Sequence, residues 1–402
     1  MSNSSLLLFN VAQIIFLIIL GLSTFYIFLF SFAGLFYKQK PSAKALINRK
    51  IAVLIPGYKE DEVILEVAEE ALRQDYPLTA YDVVIIADSF RPDTIEKLRK
   101  LPIKVIEVSF ELSTKSKALN KAMDQLGDSY DIAVILDADN VMDKDFLSKI
   151  NNAFEQNCMA VQGHRTAKNM DTSLAILDAV SEEINNHIFR KGHRVLGLSS
   201  AIIGSGMAFN YSFFKSLMSK VTAVGGFDKE IELKMLKAGH KIIYLDDALV
   251  FDEKVQKSDV FSNQRRRWLS AQLHYFRQDF LPASKDLLLK GNVDYFDKAL
   301  QFIQPPRILL LGAVILFATT FLIANYLSQN STGYMVGWTA VLVTCLLAFL
   351  FSVPGKFYNF RTLGALFSLP KGMFLMLMSL LKIKGANKKF IHTKHTATKT
   401  NP

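Results

Sequence analysis

The chain has 402 residues, half of them hydrophobic, and a formal net charge of +10, which leaves room for one large domain plus membrane segments. Two cysteines, Cys158 in a predicted strand and Cys345 in a long apolar run, argue against a disulfide scaffold and are compatible with a reducing compartment. The basic excess does not indicate nucleic acid: after residue 353 there are nine Lys or Arg and no Asp or Glu beside apolar runs, which suits an anionic membrane surface.

No charged residue precedes Lys38, and the stretch LLLFNVAQIIFLIILGLSTFYIFLF is long enough to span a bilayer. It lacks the basic start and small-residue cleavage site of a signal peptide. Lys38, Lys40, Lys44, Arg49 and Lys50 follow, so the positive-inside rule places the N-terminus outside and the next domain in the cytoplasm.

From residue 51 to about 255, strand-like and helix-like stretches alternate. IAVLIP, DVVIIAD, IKVIEV and IAVILDAD read as strands; residues 60–73, 92–100, 115–126 and 143–156 read as helices. The alternation predicts a doubly wound α/β sheet. Ligands bind such sheets at the carboxyl ends of the strands. Polar groups collect there: Pro56, Tyr58 and Glu60 after the first strand, Asp88 after the second, Asp137 and Asp139 after the fourth. Two carboxylates one residue apart at a cleft mouth suit Mg²⁺ or Mn²⁺, which is commonly shared with substrate phosphates. Neither GxxxxGK[ST] nor a GxGxxG after a strand is present, so P-loop and dinucleotide readings lose their support.

Gly204-Ser205-Gly206 lets a ligand approach the backbone, or marks a glycine bulge in a strand; the residues leave both readings open. GGFDKEIELKMLKAGHKIIYLDDALV predicts a turn, a helix and two strands, with Asp228, Glu230 and Glu232 at the helix start, where acids also complement the helix dipole. Gln264-Arg265-Arg266-Arg267-Trp268 falls in a helical stretch over about 258–278. It offers guanidinium donors for a diphosphate and an aromatic platform for a sugar, or else a basic helix with one interfacial Trp.

Taken in order, IPGYKED, the Asp88 strand end, KSKALN, DAD, GSGMAF, GGFDKEIEL and QRRRW resemble the membrane-embedded family-2 glycosyltransferases, the inverting cellulose- and hyaluronan-synthase type, over residues 51–275. The resemblance implies a GT-A type, Rossmann-like nucleotide-sugar domain, a UDP-sugar donor and a divalent cation, Mg or Mn. By position it implies that Pro56, Tyr58, Glu60, Asp88, Lys115, Asp137 and Arg267 bind the nucleotide-sugar. Asp139 with Asp137 would hold the metal, and Gly204, Ser205, Gly206, Gln264 and Trp268 would face the acceptor. The chain departs from the family where Thr-Glu-Asp is usual: counting back from Leu233 puts Glu230 at the place of the general base, with Asp228 as the other candidate. The usual Asn before Glu60 is Lys59.

The expected plan is a membrane helix over 1–37, a cytoplasmic catalytic domain over 38–279, amphipathic interfacial helices over 280–305 and two membrane helices over 306–354, where Arg307 is the sole charge. An interfacial or re-entrant segment and a basic tail complete it over 355–402. The expected activity is hexosyl transfer from a UDP-sugar to a polysaccharide at the cytoplasmic side of the inner membrane, forming a β-glycoside; the alternative is a glycolipid synthase. Partners are the donor, a saccharide or lipid-linked acceptor and the membrane, with no nucleic acid. Three spans are few for a polymer channel, which leaves a place for an export partner or a second copy.

Overall fold

The computed structural model describes residues 3–39, 44–223 and 225–383. Lys40 and the basic tail from residue 384 lie outside the described residues.

One sheet organises the catalytic part. Its strands are β1 (Ile51–Tyr58), β2 (Tyr81–Asp88), β3 (Lys104–Val108), β4 (Ile132–Ile135), β5 (Val141–Met142), β6 (Ala160–Ala167), β7 (Met207–Asn210) and β8 (Ile242–Asp252), in the order β3-β2-β1-β4-β7-β6-β8-β5. β3, β2, β1 and β4 are parallel, as the apolar runs predict. The chain winds outward from β1 to β3 and then returns to β4 on the other side of β1. This leaves a switch point between β1 and β4, where a ligand crevice forms. Beyond β4 the sheet is mixed: β7 runs antiparallel to β4 and β6, and β8 parallel to β6.

Successive β1 residues feed opposite cores, as strand geometry requires. Ile51, Val53 and Ile55 join one core with α2 (Ile64–Ala71), α3 (Pro92–Leu98) and later α5 (Phe146–Ala153). Ala52 and Leu54 join the other with α4 (Lys115–Leu126). Next come α6 (Ser173–Asn185), a π-helical stretch over Asn186–Gly192, α7 (His193–Val195), α8 (Tyr211–Met218) and α9 (Phe227–Lys237). They are followed by α10 (Ser258–Lys290), α11 (Val293–Gln301), α12 (Arg307–Leu327), α13 (Thr332–Ser352), α14 (Phe360–Leu366) and α15 (Leu369–Leu381).

Three helices are long and apolar enough to cross a membrane: α1 (Asn3–Gly34), over Leu6–Gly34, with α12 and α13. Gln13 and Asn325, both buried, bond across α1 and α12 at 2.9 Å, which satisfies polar groups away from water. α14 and α15 meet at a 50° bend, the shape of a broken span or a re-entrant loop. The C-terminal end of α1 is clasped by residues of the π-helical stretch, α7 and α11. The Phe30 ring stacks on His193 at 3.7 Å, His187 Nε2 lies 2.8 Å from the Ser31 carbonyl, and the Tyr26 hydroxyl donates to Asp297 at 2.7 Å. Gly192 has no room for a β-carbon against the Phe30 carbonyl.

Three expectations need correction. Cys158 lies in the turn before β6 rather than in a strand. The two strands predicted after α9 are one, β8, with a register shift opposite Gly163 and His164. The boundary at 279/280 falls inside α10, which runs unbroken through Pro282, and α11 buries Tyr295, Asp297, Lys298 and Ala299.

Candidate active site

A cleft of about 480 Å³ opens at the switch point. Pro56, Tyr58, Glu60, Asp88, Lys115, Asp137, Asp139 and Gly204 line it, together with Asp228, Gln264, Arg267 and Trp268. Twelve of the residues singled out from sequence are therefore brought to one cavity.

One side of the cleft is built by the ends of β1 and β2. The Lys59 N–H donates to the Asp88 carbonyl at 3.1 Å, and the Ser89 hydroxyl donates to the Asp88 carboxylate at 2.9 Å. Lys59 takes the left-handed conformation, φ 55°, which costs a side-chain-bearing residue energy that Asn tolerates better. The departure noted in the sequence thus falls on a strained turn.

Lys115 opens α4, whose first turn is capped by the Thr114 hydroxyl. That position sends its ammonium to the Asp137 carboxylate, in an ion pair, and to the Gly204 carbonyl at 2.7 Å. Asp139 is buried and accepts the Glu253 N–H and the Asn140 amide, each at 3.2 Å. Among the described residues no cluster of three His, Cys, Asp or Glu forms a cage made by protein alone. Two carboxylates on one rim are the donor set of a hard cation that takes its remaining oxygens from phosphate and water, so the residues fit Mg²⁺ or Mn²⁺.

The three residues of the glycine loop differ in where they stand. Gly204 has φ +82°, and a β-carbon there would stand 3.7 Å from Cβ and Cγ of Asp228. The backbone, not a side chain, therefore borders the cleft at Gly204. Gly206 closes the loop into β7, and the Ser205 hydroxyl is turned inward: it accepts the Asp137 N–H at 2.9 Å and donates to Asn140. Ser205 and Gly206 support the rim and do not line the cleft.

Helix α9 separates the three acids. Asp228 faces the cleft. Glu230 does not: its carboxylate accepts the N–H of Ala223 at 3.0 Å and of Thr222 at 3.3 Å, and pairs with Lys234 at 3.1 Å. Glu232 is buried against Lys298 at 2.8 Å, where burial raises its pKa. The helix cap is Gly226, so Asp228 is inside the first turn and not the cap. Of the two acids named from sequence, the cleft is lined by Asp228 and not by Glu230.

The profile of glycosyltransferase-like family 2 matches residues 48–271, more than half of the chain. The chain belongs to that family. This glycosyltransferase is 25% identical over 343 residues to an N-acetylglucosaminyltransferase of Rhizobium meliloti, covering 81% of this chain and 77% of that one. It is 29% identical over 124 residues to glucans biosynthesis glucosyltransferase H of Rhodopseudomonas palustris, covering 28% of this chain and 17% of that one. Among solved structures it is similar to mannosyltransferase PcManGT of Pyrobaculum calidifontis, solved with GDP-Man and Mn²⁺. The TM-score is 0.50 at 19% identity, covering 84% of this chain and 99% of that one, a likeness of fold. The GT-A fold expected from the sequence is the fold found.

The glycosyltransferase cleft also has a charged floor that no motif announced. Lys254, Asp252, Arg165, Glu182 and Arg190 alternate in sign, with successive contacts of 2.8, 3.8, 2.8 and 3.6 Å, and all line the cleft. Burial alone would raise the Glu182 carboxyl, but Arg165, Lys254 and Arg190 together pull it down to about 2. Burial lowers the Arg267 guanidinium. From the sequence these are isolated charges as much as 89 positions apart; β6 and β8 pairing side by side brings Arg165 and Asp252 together. Both strands carry other polar residues, Gln162 and His164 in β6 and Asp246 and Asp247 in β8, so no local signal set this pair apart.

Proposed function

We propose that the protein transfers a hexose from a UDP-sugar to a saccharide acceptor at the cytoplasmic face of the cell membrane, with inversion at the anomeric carbon to give a β-glycoside. The observation that carries the reading is one continuous run of contacts. Lys115 touches Asp137 and the Gly204 carbonyl, Gly204 borders Asp228, and Gly226, just before Asp228, borders Ala271 one turn beyond Trp268. The relatives named for N-acetylglucosamine and glucose support a hexose, and the family resemblance supports a uridine carrier.

In this reading Asp88 holds the nucleotide base, with Pro56, Tyr58 and Glu60 around it. Lys115 and Arg267 bind the donor diphosphate, Lys115 giving up Asp137 as partner. Asp137 and Asp139 hold Mg²⁺ or Mn²⁺, which when bound offsets charge on the leaving diphosphate. The Asp228 carboxylate takes the proton from the acceptor hydroxyl as that oxygen attacks the anomeric carbon. Gln264 and Trp268 hold the acceptor sugar. α1, α12 and α13 span the membrane, with the N-terminus outside.

A second reading, a lipid-linked acceptor, is favoured by one observation. Lys298, Gln301 and Phe302 also line the cleft, within ten residues of the start of α12. Membranes carrying the protein, supplied with a panel of radiolabelled UDP-sugars and Mn²⁺, separate the two. Label precipitated by ethanol indicates polymer, label extracted into chloroform–methanol indicates glycolipid, and no transfer from any UDP-sugar overturns the proposal.

A further inference from the structure

We infer that Arg265 is a positioning residue for the Trp268 indole, and that Asp178 is the anchor that holds Arg265 to that task. The inference rests on the proposed reading only in taking Trp268 as a wall of the acceptor site.

Phe261, Arg265 and Trp268 are spaced four and three residues apart on α10, so they share one helix face. The Arg265 guanidinium carbon lies 4.8 Å from the Phe261 ring centroid and 4.4 Å from that of Trp268. Its charge is paired with the carboxylate of Asp178 on α6, and both side chains are 11% exposed. The second Asp178 oxygen accepts the Val255 N–H at 3.5 Å, in the segment leading from β8 into α10. One carboxylate thus ties α6 to the entry of α10 and to the cation packed on the indole. Asp178 and Trp268 both line the cleft, whereas Arg265 stands behind them.

A guanidinium suits this place because its flat face packs on rings while its edge donates to a carboxylate. A lysine there keeps the charge but not the flat face. Without the pair, Trp268 is a side chain on a partly exposed helix face, free to take other rotamers. From outside, Phe261 packs in one apolar cluster with Met376 of α15 and Val255, and the Ser379 hydroxyl donates to the Ser262 carbonyl at 3.2 Å. Arg265 is therefore backed on the side away from the cleft.

The test reads Trp268 directly in the full-length protein in detergent or nanodiscs. The chain has two tryptophans, so the difference in emission between the intact protein and Trp268→Phe isolates Trp268. Acrylamide quenching of that component should increase in Arg265→Met and Asp178→Asn and stay intermediate in Arg265→Lys. Transfer rate at saturating UDP-sugar should fall about tenfold in Arg265→Met, with Mn²⁺–UDP affinity within about twofold of the intact protein. The double variant should be no worse than Arg265→Met alone, because the two residues act as one unit. Unchanged quenching in both single variants overturns the inference. So does a loss of UDP affinity in step with rate, which is the behaviour of a general scaffold pair. An intact protein that transfers from no UDP-sugar would instead fail the proposed reaction, and the quenching result would still decide the positioning role.

Discussion

The Glu230 carboxylate accepts the Ala223 N–H at 3.0 Å, so it is spent on the loop before α9, while Asp228 faces Gly204 across the cleft. Asp228→Asn keeps the shape and removes the proton acceptor. Its kcat should fall about a hundred- to ten-thousand-fold with UDP affinity near that of the intact protein. Glu230→Gln should cost about 1–3 kcal/mol of stability through weakened hydrogen bonds and leave most of the activity. Initial rates and UDP titration of the two variants check this. A dead Glu230→Gln beside an active Asp228→Asn would return the base to Glu230.

Asp139 is buried with its oxygens already accepting two N–H groups, so its charge is held in one place at the rim. Asp139→Asn should abolish turnover and weaken UDP binding only when Mn²⁺ is present. Asp88→Ala should weaken UDP binding with or without Mn²⁺, and EDTA should make the intact protein behave like Asp139→Asn. Calorimetric titration with UDP measures all three. Near-normal turnover in Asp139→Asn would reduce the aspartate pair to a turn.

Lys59 at φ 55° predicts a gain rather than a loss. Lys59→Asn or Lys59→Gly should stabilise the protein by about 1 kcal/mol, because the left-handed conformation costs a lysine roughly that much more. The Lys59 N–H to Asp88 bond is a backbone bond and survives either change. A raised Tm with unchanged UDP affinity is the expected result; a lowered Tm would show that the lysine side chain matters more than its backbone.

The sequence made the parallel half of the sheet and its rim legible. Three apolar runs, one leading to Glu60, one ending in Asp88 and one running into Asp137 and Asp139, need no tertiary information to be read as strand ends. It did not make β6, β7 and β8 legible as neighbours, because antiparallel returns leave no periodicity of their own in a buried run. Counting back from Leu233 favours Glu230 over Asp228; counting forward from Gly226, the cap of α9, gives Asp228 the place that lines the cleft. Asp178 carries no local signal, since its partner Arg265 is 87 positions away.

Glu182 predicts a pH dependence. Its carboxyl is held at about 2 by three cations against its burial, so it binds fewer protons folded than unfolded. The stabilisation is complete above the ordinary carboxylate range and is lost as pH falls from about 4.5 towards 2, on the order of 3 kcal/mol in all. Glu182→Gln should lower stability at neutral pH, because it leaves Arg190 buried without its ion-pair partner and takes from Arg165 one of its two, Asp252 remaining, and should flatten this acid limb. Thermal unfolding between pH 6 and pH 3 reads both effects; an acid limb as steep in Glu182→Gln as in the intact protein would assign it to other carboxylates.

The clasp on the C-terminal end of α1 bears on how the protein can be cut. Phe30 covers His193, Tyr26 satisfies Asp297, and Gly192 admits the Phe30 carbonyl, so the last turns of α1 serve as interior for the catalytic part. A fragment that begins after Lys38 would bare a buried imidazole and carboxylate together with the apolar seat of Phe30. Such a fragment should aggregate on expression, whereas one that keeps α1 should remain monodisperse in detergent. For this chain the end of the apolar helix is a boundary of composition, and the folding unit begins within that helix.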